Sequence, residues 1–557
     1  MKKKISLLLV NTWKPAILIL LLSLLIFLPD AVYFLRNGVY NYLLVGMVVV
    51  PLLLLVPTGL FFFNLRIYYT ILAILSMATP IALLPVLLIN SQPNSEMLGL
   101  VLDTNYHEVT ELLGWRIWII ALVMLAFLLI FLALSKKLPA KINIKKGLAI
   151  SGFALMVFLL LPFTRTTILG YYKQILKNTY KAYYPFRIGD AFSYLQREMK
   201  NEENYHRDVA DFSFGAYLKN PDSANHIHIL MIGETARYDH WGINGYERET
   251  SPYLSAEQNL ITFSNVASGG TMTNISVPLI ICRTDAENFD LHKKEKSILA
   301  AYKEVGFKSY WISNQSRYGL TGNIGMHYND GDTAIFNGYG SNETNFAGNT
   351  DSALVPMVRD ILQREKGNNV FLVVHTIGSH WRYLLRYPES FTKFKPVSDR
   401  NRLVSGYPPR EVMINEYDNS ILYTDYIIAQ IINLLKETDA VASLSYVSDH
   451  GENLGDDERK LYFHSYKPTK ATAHVPLFIW TSEELNKKYP EKVQRLRENK
   501  DRAISSAGNL FHTMLDISGI GFRMEDSTRS IASPAFKDNE QKIVGENRAV
   551  LSFREIR

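Results

Sequence analysis

The sequence predicts two parts joined end to end: an α-helical membrane domain of five spans, then a soluble α/β domain built as a doubly wound sandwich. Three observations carry this reading. Five long apolar stretches crowd the first ~165 residues. Short, nearly continuous apolar runs then alternate with helical patterns along the rest of the chain. Two of those runs, far apart in sequence, stop at a carboxylate: His228–Gly233 runs into Glu234, and Ser443–Val447 into Ser448-Asp449-His450-Gly451-Glu452.

The apolar stretches are residues 15–35, 40–63, 68–90, 115–135 and 147–163. Each is long enough, at about 1.5 Å per residue, to cross a hydrocarbon layer about 30 Å thick. A signal peptide is shorter and would account for one stretch only. The whole-chain average conceals this half, because charged residues are an ordinary 20% overall. Basic residues set the orientation. Lys2, Lys3, Lys4 and Lys14 precede the first stretch, and Lys136, Lys137, Lys141, Lys145 and Lys146 separate the fourth from the fifth. Both groups are expected on the cytoplasmic side. The loop before the fourth stretch holds Glu96, Asp103, Glu108 and Glu111, and belongs outside. Everything after the fifth span is then delivered to the outer face, although Arg165, Lys173, Lys177, Lys181 and Arg187 follow it. Long domains translocate largely regardless of charge.

The expected divisions are a transmembrane domain over 1–164, an amphipathic linker at the membrane surface over 165–215, and a soluble α/β domain over 216–557. The linker mixes those cations with Tyr171, Tyr172, Tyr180, Tyr183, Tyr184 and Phe186, a composition suited to a lipid interface. The alternative is a soluble linker packed on the domain. The net charge of +6 fits work beside anionic lipid. Nucleic acid is not an expected partner, since no recognition motif accompanies the charge. The lone cysteine, Cys282, rules out an intrachain disulfide. The outer domain must therefore be held by its core, which its size permits.

Strands are expected at 226–232, 308–313, 370–375, 443–447 and 475–480, and helices at 295–305, 352–366, 412–437 and 503–516. Open sheets of this kind place their chemistry at the carboxyl ends of strands. Asp and neutral His are good ligands for a divalent metal such as zinc, yet a strand-end Asp also serves as a turn or cap residue. Between the two carboxylates lies Ala267-Ser-Gly-Gly-Thr-Met-Thr-Asn-Ile-Ser-Val-Pro278. A helix is expected to begin near Thr273, where unpaired N–H groups favour an anion. By residue type alone Thr271, Thr273 and Ser276 are equally cap residues.

These segments resemble the bacterial phosphoethanolamine transferases, a family that includes lipid A modifying and colistin-resistance enzymes. The resemblance runs through the five spans, Ile232-Gly-Glu-Thr-Ala-Arg237, Asn244-Gly-Tyr-Glu-Arg-Glu-Thr-Ser-Pro252, Thr273-x-x-Ser-Val-Pro278, His375-Thr-Ile-Gly-Ser-His380, Arg386-Tyr-Pro388, Tyr417-Asp-Asn419 and Ser448–Glu452. Asp526-Ser-Thr-Arg-Ser530 and the Val475-Pro476 strand look most like the branch that decorates the heptose of the lipopolysaccharide core.

The resemblance implies an alkaline-phosphatase/sulfatase-like fold and a zinc ion held by Glu234, Thr273, Asp449 and His450. It makes Thr273 the nucleophile and places His380 and His464 around the phosphoryl group, with His474 as rival to His464. Thr104-Asn105-Tyr-His-Glu108 is similar to the family's lipid-site loop, so Asn105 and Glu108 join the substrate-binding set. Tyr417, Asp418 and Asn419 read better as packing or hydrogen-bonding residues. Many relatives carry a disulfide flanking the nucleophile, at positions occupied here by Gly269 and Leu279, so packing has to hold this loop.

The implied activity is transfer of phosphoethanolamine from phosphatidylethanolamine to a lipopolysaccharide acceptor, core heptose or lipid A. It would pass through a covalent phospho-threonine and release diacylglycerol. The implied setting is the bacterial inner membrane, with a multi-pass anchor and a periplasmic catalytic domain, as a monomer. Polymyxin resistance follows only for a lipid A phosphate acceptor. A phosphoglycerol transferase or sulfatase-like hydrolase of the same superfamily is the nearest alternative. Sulfatases build formylglycine from Cys- or Ser-x-Pro-x-Arg, a pattern absent at Thr273–Ser276. A non-catalytic membrane scaffold or sensor is the alternative of another class.

Overall fold

The computed structural model describes residues 2–38, 40–57, 64–88, 115–140, parts of 143–156, and 183–557 apart from 316–322, 338–349, 401–407, 457 and 539. Asn105, Glu108 and most of the fifth apolar stretch lie outside the described residues. Two compact units divide at Arg197 and Glu198. This boundary falls inside the helix Phe186–Asp208, in the region expected to be the linker.

The first unit contains α1 (Lys2–Arg36), α2 (Tyr40–Pro57), α3 (Leu65–Leu88) and α4 (Arg116–Ser135). Among the described residues, three segments are long and apolar enough to cross a membrane: Lys14–Arg36, Leu65–Leu84 and Arg116–Ser135. Tyr42–Leu55 is a shorter apolar helix. The acid of α1, Asp30, is buried. It accepts the Tyr184 N–H at 2.5 Å and lies 3.5 Å from Arg187. Burying a lone carboxylate is costly, and a cation with a backbone donor offsets that cost. The partner comes from the basic, aromatic run after the fifth stretch, whose Tyr183 and Tyr184 are buried in the same apolar cluster. The helix Phe186–Asp208 is α5.

In the second unit the apolar runs become β1 (His226–Gly233), β2 (Leu260–Phe263), β3 (Lys308–Ser313), β4 (Thr333–Phe336), β5 (Val370–His375), β6 (Val441–Ser448) and β7 (Leu477–Thr481). They form one sheet in the order β2-β7-β6-β1-β5-β3-β4. β1, β3, β4, β5 and β6 run parallel, whereas β7 and β2 pair antiparallel at one edge. All five expected strands are present. The short edge strands β2 and β4 are additional, because their residues are only half-buried in part and give no continuous apolar run.

Side chains alternate across the central strand. Leu230 and Ile232 join the core shared with α6 (Thr273–Ile281), α7 (Ile298–Glu304) and α10 (Ser506–Ile517). Ile227, Ile229 and Met231 face the core shared with α8 (Leu354–Arg364) and α9 (Arg410–Lys436). With both faces covered, the inner strands read as continuous apolar runs.

Register then positions the site. Gly233 pairs with Ser448, Ile232 with His375, and Ser313 with His375. The next residue of each strand therefore leaves from the same edge of the sheet: Glu234 after β1, Asp449 after β6, Thr376 after β5 and Asn314 after β3. One further backbone bond per pair maintains the alignment, from Asp449 N to Gly233 O and from Thr376 N to Ile232 O, both 3.0 Å.

Candidate active site

Four side chains converge at that edge. Thr273 Oγ1 lies 3.1 Å from Glu234 Oε2 and 3.4 Å from His450 Nε2. His450 Nε2 lies 3.3 Å from Glu234 Oε1 and 3.4 Å from Asp449 Oδ2. His450 Nδ1 faces Gly451 O at 2.9 Å, so this nitrogen carries a proton in either charge state of the ring, and Nε2 points at the carboxylates. Glu234, Asp449 and His450 are all buried.

The backbone that presents Glu234 is held from several sides. Thr235 has φ +62°, an unusual conformation for a β-branched residue. Its N–H donates to Asp449 Oδ1 at 3.1 Å, and its hydroxyl donates to Glu234 Oε1 at 2.7 Å. The Tyr417 hydroxyl, from α9, donates to Thr235 O at 2.7 Å and accepts the Arg237 N–H at 2.8 Å. Behind Glu234, Ser379 N–H donates to its carbonyl at 3.0 Å. Gly378 (φ +47°) comes so close that a Cβ there would lie 2.7 Å from that oxygen. A Tyr417→Phe variant is expected to lose about 1–3 kcal/mol of stability, since it leaves a buried N–H and a buried C=O unpaired. Chemical denaturation of the full chain measures it, and a loss near zero would return Tyr417 to plain helix packing.

Asp418 and Asn419 have hydrogen-bonding roles too. Asp418 accepts from Tyr246 and Arg248 at 2.9 Å each and contacts His240 at 2.6 Å, which ties the Asn244–Pro252 segment to α9. Asn419 accepts the N–H groups of Lys393 and Phe394.

Thr273 opens α6 as its first residue, after Met272 as cap. The preceding loop is packed in place. Leu279 closes over Gly269, where a Cβ would lie 2.9 Å from Leu279 Cδ1. Val544 N–H donates to Gly269 O at 2.8 Å from the C-terminal hairpin Lys542–Val544/Val550–Ser552. Ser268 Oγ donates to Asp449 O, and Thr271 Oγ1 to Ser465 O at 2.6 Å.

His464 and His380 sit beside this group. The His464 ring lies 4.0 Å from that of His450 and 6.4 Å from that of His380, centroid to centroid. Glu452 Oε1 is 3.3 Å from His464 Nδ1, and Tyr383 donates to Glu452 Oε2 at 3.1 Å. His380 Nδ1 donates to Trp381 O at 2.7 Å. His474 is not brought to Thr273. It stacks on Tyr238 at 4.2 Å and contacts Ser264 O through Nε2.

The charges are strongly coupled. Burial and the Glu234 charge push the Asp449 carboxyl well above the usual range. Burial acts the same way on Glu234, but the His450 hydrogen bond and charge outweigh it and hold Glu234 well below. Burial lowers His450, yet Asp449 and Glu234 lift it to about 10. Burial and the His450 charge lower His464. A proton on His450 Nε2 thus stands between two carboxylates, where a divalent cation neutralises them better. The donor set fits such a cation. Ligand atoms of Glu234, Asp449 and His450 lie within 4.8 Å of one another, and Asp449 Oδ2 is buried without a hydrogen-bond donor. Two carboxylates, an imidazole and a hydroxyl suit zinc.

The protein-family model described as "Sulfatase" matches residues 227–520. The chain belongs to the sulfatase family. Within it, the sequence is 33% identical over 317 residues to the phosphoethanolamine transferase EptA of Escherichia coli K12, an alignment taking in 54% of this chain and 55% of the relative. The chain thus spans about half the length of that relative. The zinc complex of the C-terminal periplasmic domain of E. coli EptC superposes with a TM-score of 0.54 at 26% identity, covering 61% of this chain and 96% of that one. The integral membrane protein lipooligosaccharide phosphoethanolamine transferase A (EptA) of Neisseria meningitidis has a TM-score of 0.69 at 23% identity, covering 92% of this chain and 97% of that one. This last likeness extends the shared fold to the helical part.

One residue at the site escaped the sequence reading. Gln315 donates from Nε2 to Glu234 Oε2 at 2.9 Å. It follows the end of β3 by two residues, and the strand-end rule that found Glu234 and Asp449 also points here.

Proposed function

We propose that the chain transfers phosphoethanolamine from phosphatidylethanolamine to a lipopolysaccharide acceptor, with Thr273 as nucleophile. The observation that carries this reading is the approach of Thr273 Oγ1 to Glu234 and His450, 3.1 and 3.4 Å, at the first turn of a helix. Glu234, Asp449, His450 and Thr273 are the residues that would hold zinc. The bound metal would supply Lewis-acid stabilisation of negative charge on oxygen.

The chain's own groups supply the rest. Thr273 Oγ1 forms a bond to phosphorus as the bond from phosphorus to the diacylglycerol oxygen breaks. The threonine proton is lost, and the departing oxygen gains one. An acceptor hydroxyl or phosphate oxygen then displaces Thr273, which recovers its proton. His464, held near neutrality of charge by burial and faced by Glu452, and His380, oriented through Trp381 O, are suited to proton transfer or hydrogen bonding at the phosphoryl oxygens. Asn105 and Glu108 are proposed to contact the lipid, and His474, engaged with Tyr238 and Ser264 O, is left out of the proposed site.

The proposed setting is the inner membrane, with five spans over 1–164, a surface linker over 165–215 and a periplasmic catalytic domain over 216–557. A membrane anchor confines the catalytic domain to the surface where a lipid donor resides, which raises their effective concentration. The N. meningitidis relative is named as a lipooligosaccharide transferase, which supports an acceptor of lipopolysaccharide type, and the Asp526–Ser530 segment resembles the heptose-decorating branch. The test is mass spectrometry of lipid A and core oligosaccharide from cells with and without the chain, alongside thin-layer analysis of phospholipids. A chain-dependent adduct with the mass of phosphoethanolamine supports the reading, and its position identifies the acceptor. Consumption of phosphatidylglycerol instead would make the enzyme a phosphoglycerol transferase.

A further inference from the structure

We infer that Gln315 is a positioning residue for this reaction: its amide orients the Glu234 carboxylate toward Thr273 and the metal. The inference rests on the metal-threonine reading above.

β3 leaves the sheet in register with β5, and the chain then turns as Gln315 N–H donates to Ser313 Oγ at 3.0 Å. The turn aims the side chain back across the strand ends. Gln315 Nε2 donates to Glu234 Oε2 at 2.9 Å and to Thr376 O at 2.8 Å. Both of its protons are then used, and three strand ends are joined by one amide.

The two Glu234 oxygens consequently have different nearest donors, with Thr273 Oγ1 reaching both, at 3.4 Å to Oε1 and 3.1 Å to Oε2. Oε1 accepts the Thr235 hydroxyl at 2.7 Å, and Oε2 accepts Gln315 while lying 3.1 Å from Thr273 Oγ1. Without the amide, Oε2 is left with the Thr273 hydroxyl, a donor that gives up its proton in the reaction, and the carboxylate can then turn about its terminal bond. Both oxygens then move relative to His450 and Thr273.

A neutral donor is the chemistry this position calls for. A lysine or arginine would place a cation against Glu234, in competition with a divalent metal. A carboxylate would add a third negative charge beside Glu234 and Asp449. An amide orients without altering the charge. Outer partners of metal ligands typically contribute 10–100-fold in metal affinity.

The test uses the full chain in detergent. Gln315→Met keeps the length of the side chain and removes the donor. Zinc affinity is measured by competition with a chromophoric chelator, and melting is measured on the chelator-stripped protein. The expected result is zinc binding weaker by about 10–100-fold, with unchanged melting of the stripped protein. In turnover, kcat should fall while KM for the lipid donor stays near wild type. Zinc affinity indistinguishable from wild type would overturn the proposal. Stripped Gln315→Met and Gln315→Ala proteins that both melt well below stripped wild type would assign the amide to the fold and overturn it too. Failure of wild type itself to bind zinc would remove the metal reading, a result separate from either.

Discussion

Alanine at Thr273 is expected to abolish the phosphoethanolamine adduct, a gain of about 123 Da on the acceptor, with a loss of rate of about 10⁴-fold or more, as removal of a nucleophile does elsewhere. The variant is a clean one. Thr273 is the first residue of α6, and the cap position before it belongs to Met272, which makes no side-chain capping bond. Alanine therefore removes the hydroxyl without removing a cap, and it is a good helix former. Melting should be close to wild type. Thr273→Ser retains the hydroxyl but loses the methyl group that restricts χ1, so it should keep activity reduced by about 10-fold, the cost of a misoriented attacking atom. Mass spectrometry of purified lipid A and core reads both variants. An adduct that persists in Thr273→Ala would transfer the nucleophile's role to another group, and the 3.1 Å contact to Glu234 would then be only structural.

The strand ends were legible because burial on both faces leaves an uninterrupted apolar run, and such a run has a visible last residue. Gly233 and Ser448 end their strands where the runs end. Edge strands lack that signature. β2 buries alternate residues and β4 buries none fully, so neither stood out. The direction of β7 was equally hidden. Its apolar run is like that of the parallel strands, and only its pairing with β6 shows it to be antiparallel. At the site, residue types of marked chemistry were readable, whereas amides were not. A glutamine two residues past a strand end is marked by its position but not by its residue type, and its meaning comes from the register that brings β3 beside β5. The same holds for Leu279 over Gly269. The resemblance implies that packing replaces a disulfide at these two positions, but the contact itself forms only when α6 folds back on the loop that precedes it.

Removing a metal ligand should reverse the usual sense of a buried-site mutation. In the metal-free chain, Asp449 lies beside Glu234, and burial with that like charge pushes its carboxyl well above the ordinary range. Asp449→Asn removes a buried charge that has no hydrogen-bond donor on Oδ2. The asparagine oxygen can keep the two N–H bonds that Oδ1 accepts, from Thr235 at 3.1 Å and His450 at 2.6 Å. Its amide nitrogen then faces His450 Nε2 in place of Oδ2. Stripped Asp449→Asn should melt at or above stripped wild type at neutral pH, because a carboxyl whose pKa is raised in the folded chain costs stability above its unfolded pKa. Zinc should invert the order. A ligand that binds only the folded chain stabilises it by about 4 kcal/mol at a thousand times its dissociation constant. Wild type should gain this and Asp449→Asn should not. The loss of affinity should exceed the 10–100-fold expected for an outer partner such as Gln315, and the proposed transfer activity should be lost. Thermal scans of both proteins, each with chelator and with excess zinc, give the four melting points needed. A variant that melts well below wild type after stripping would make Asp449 a fold residue, with its charge satisfied by His450 alone. A variant still stabilised by zinc as wild type is would move the metal away from this edge of the sheet, and with it the case for Thr273.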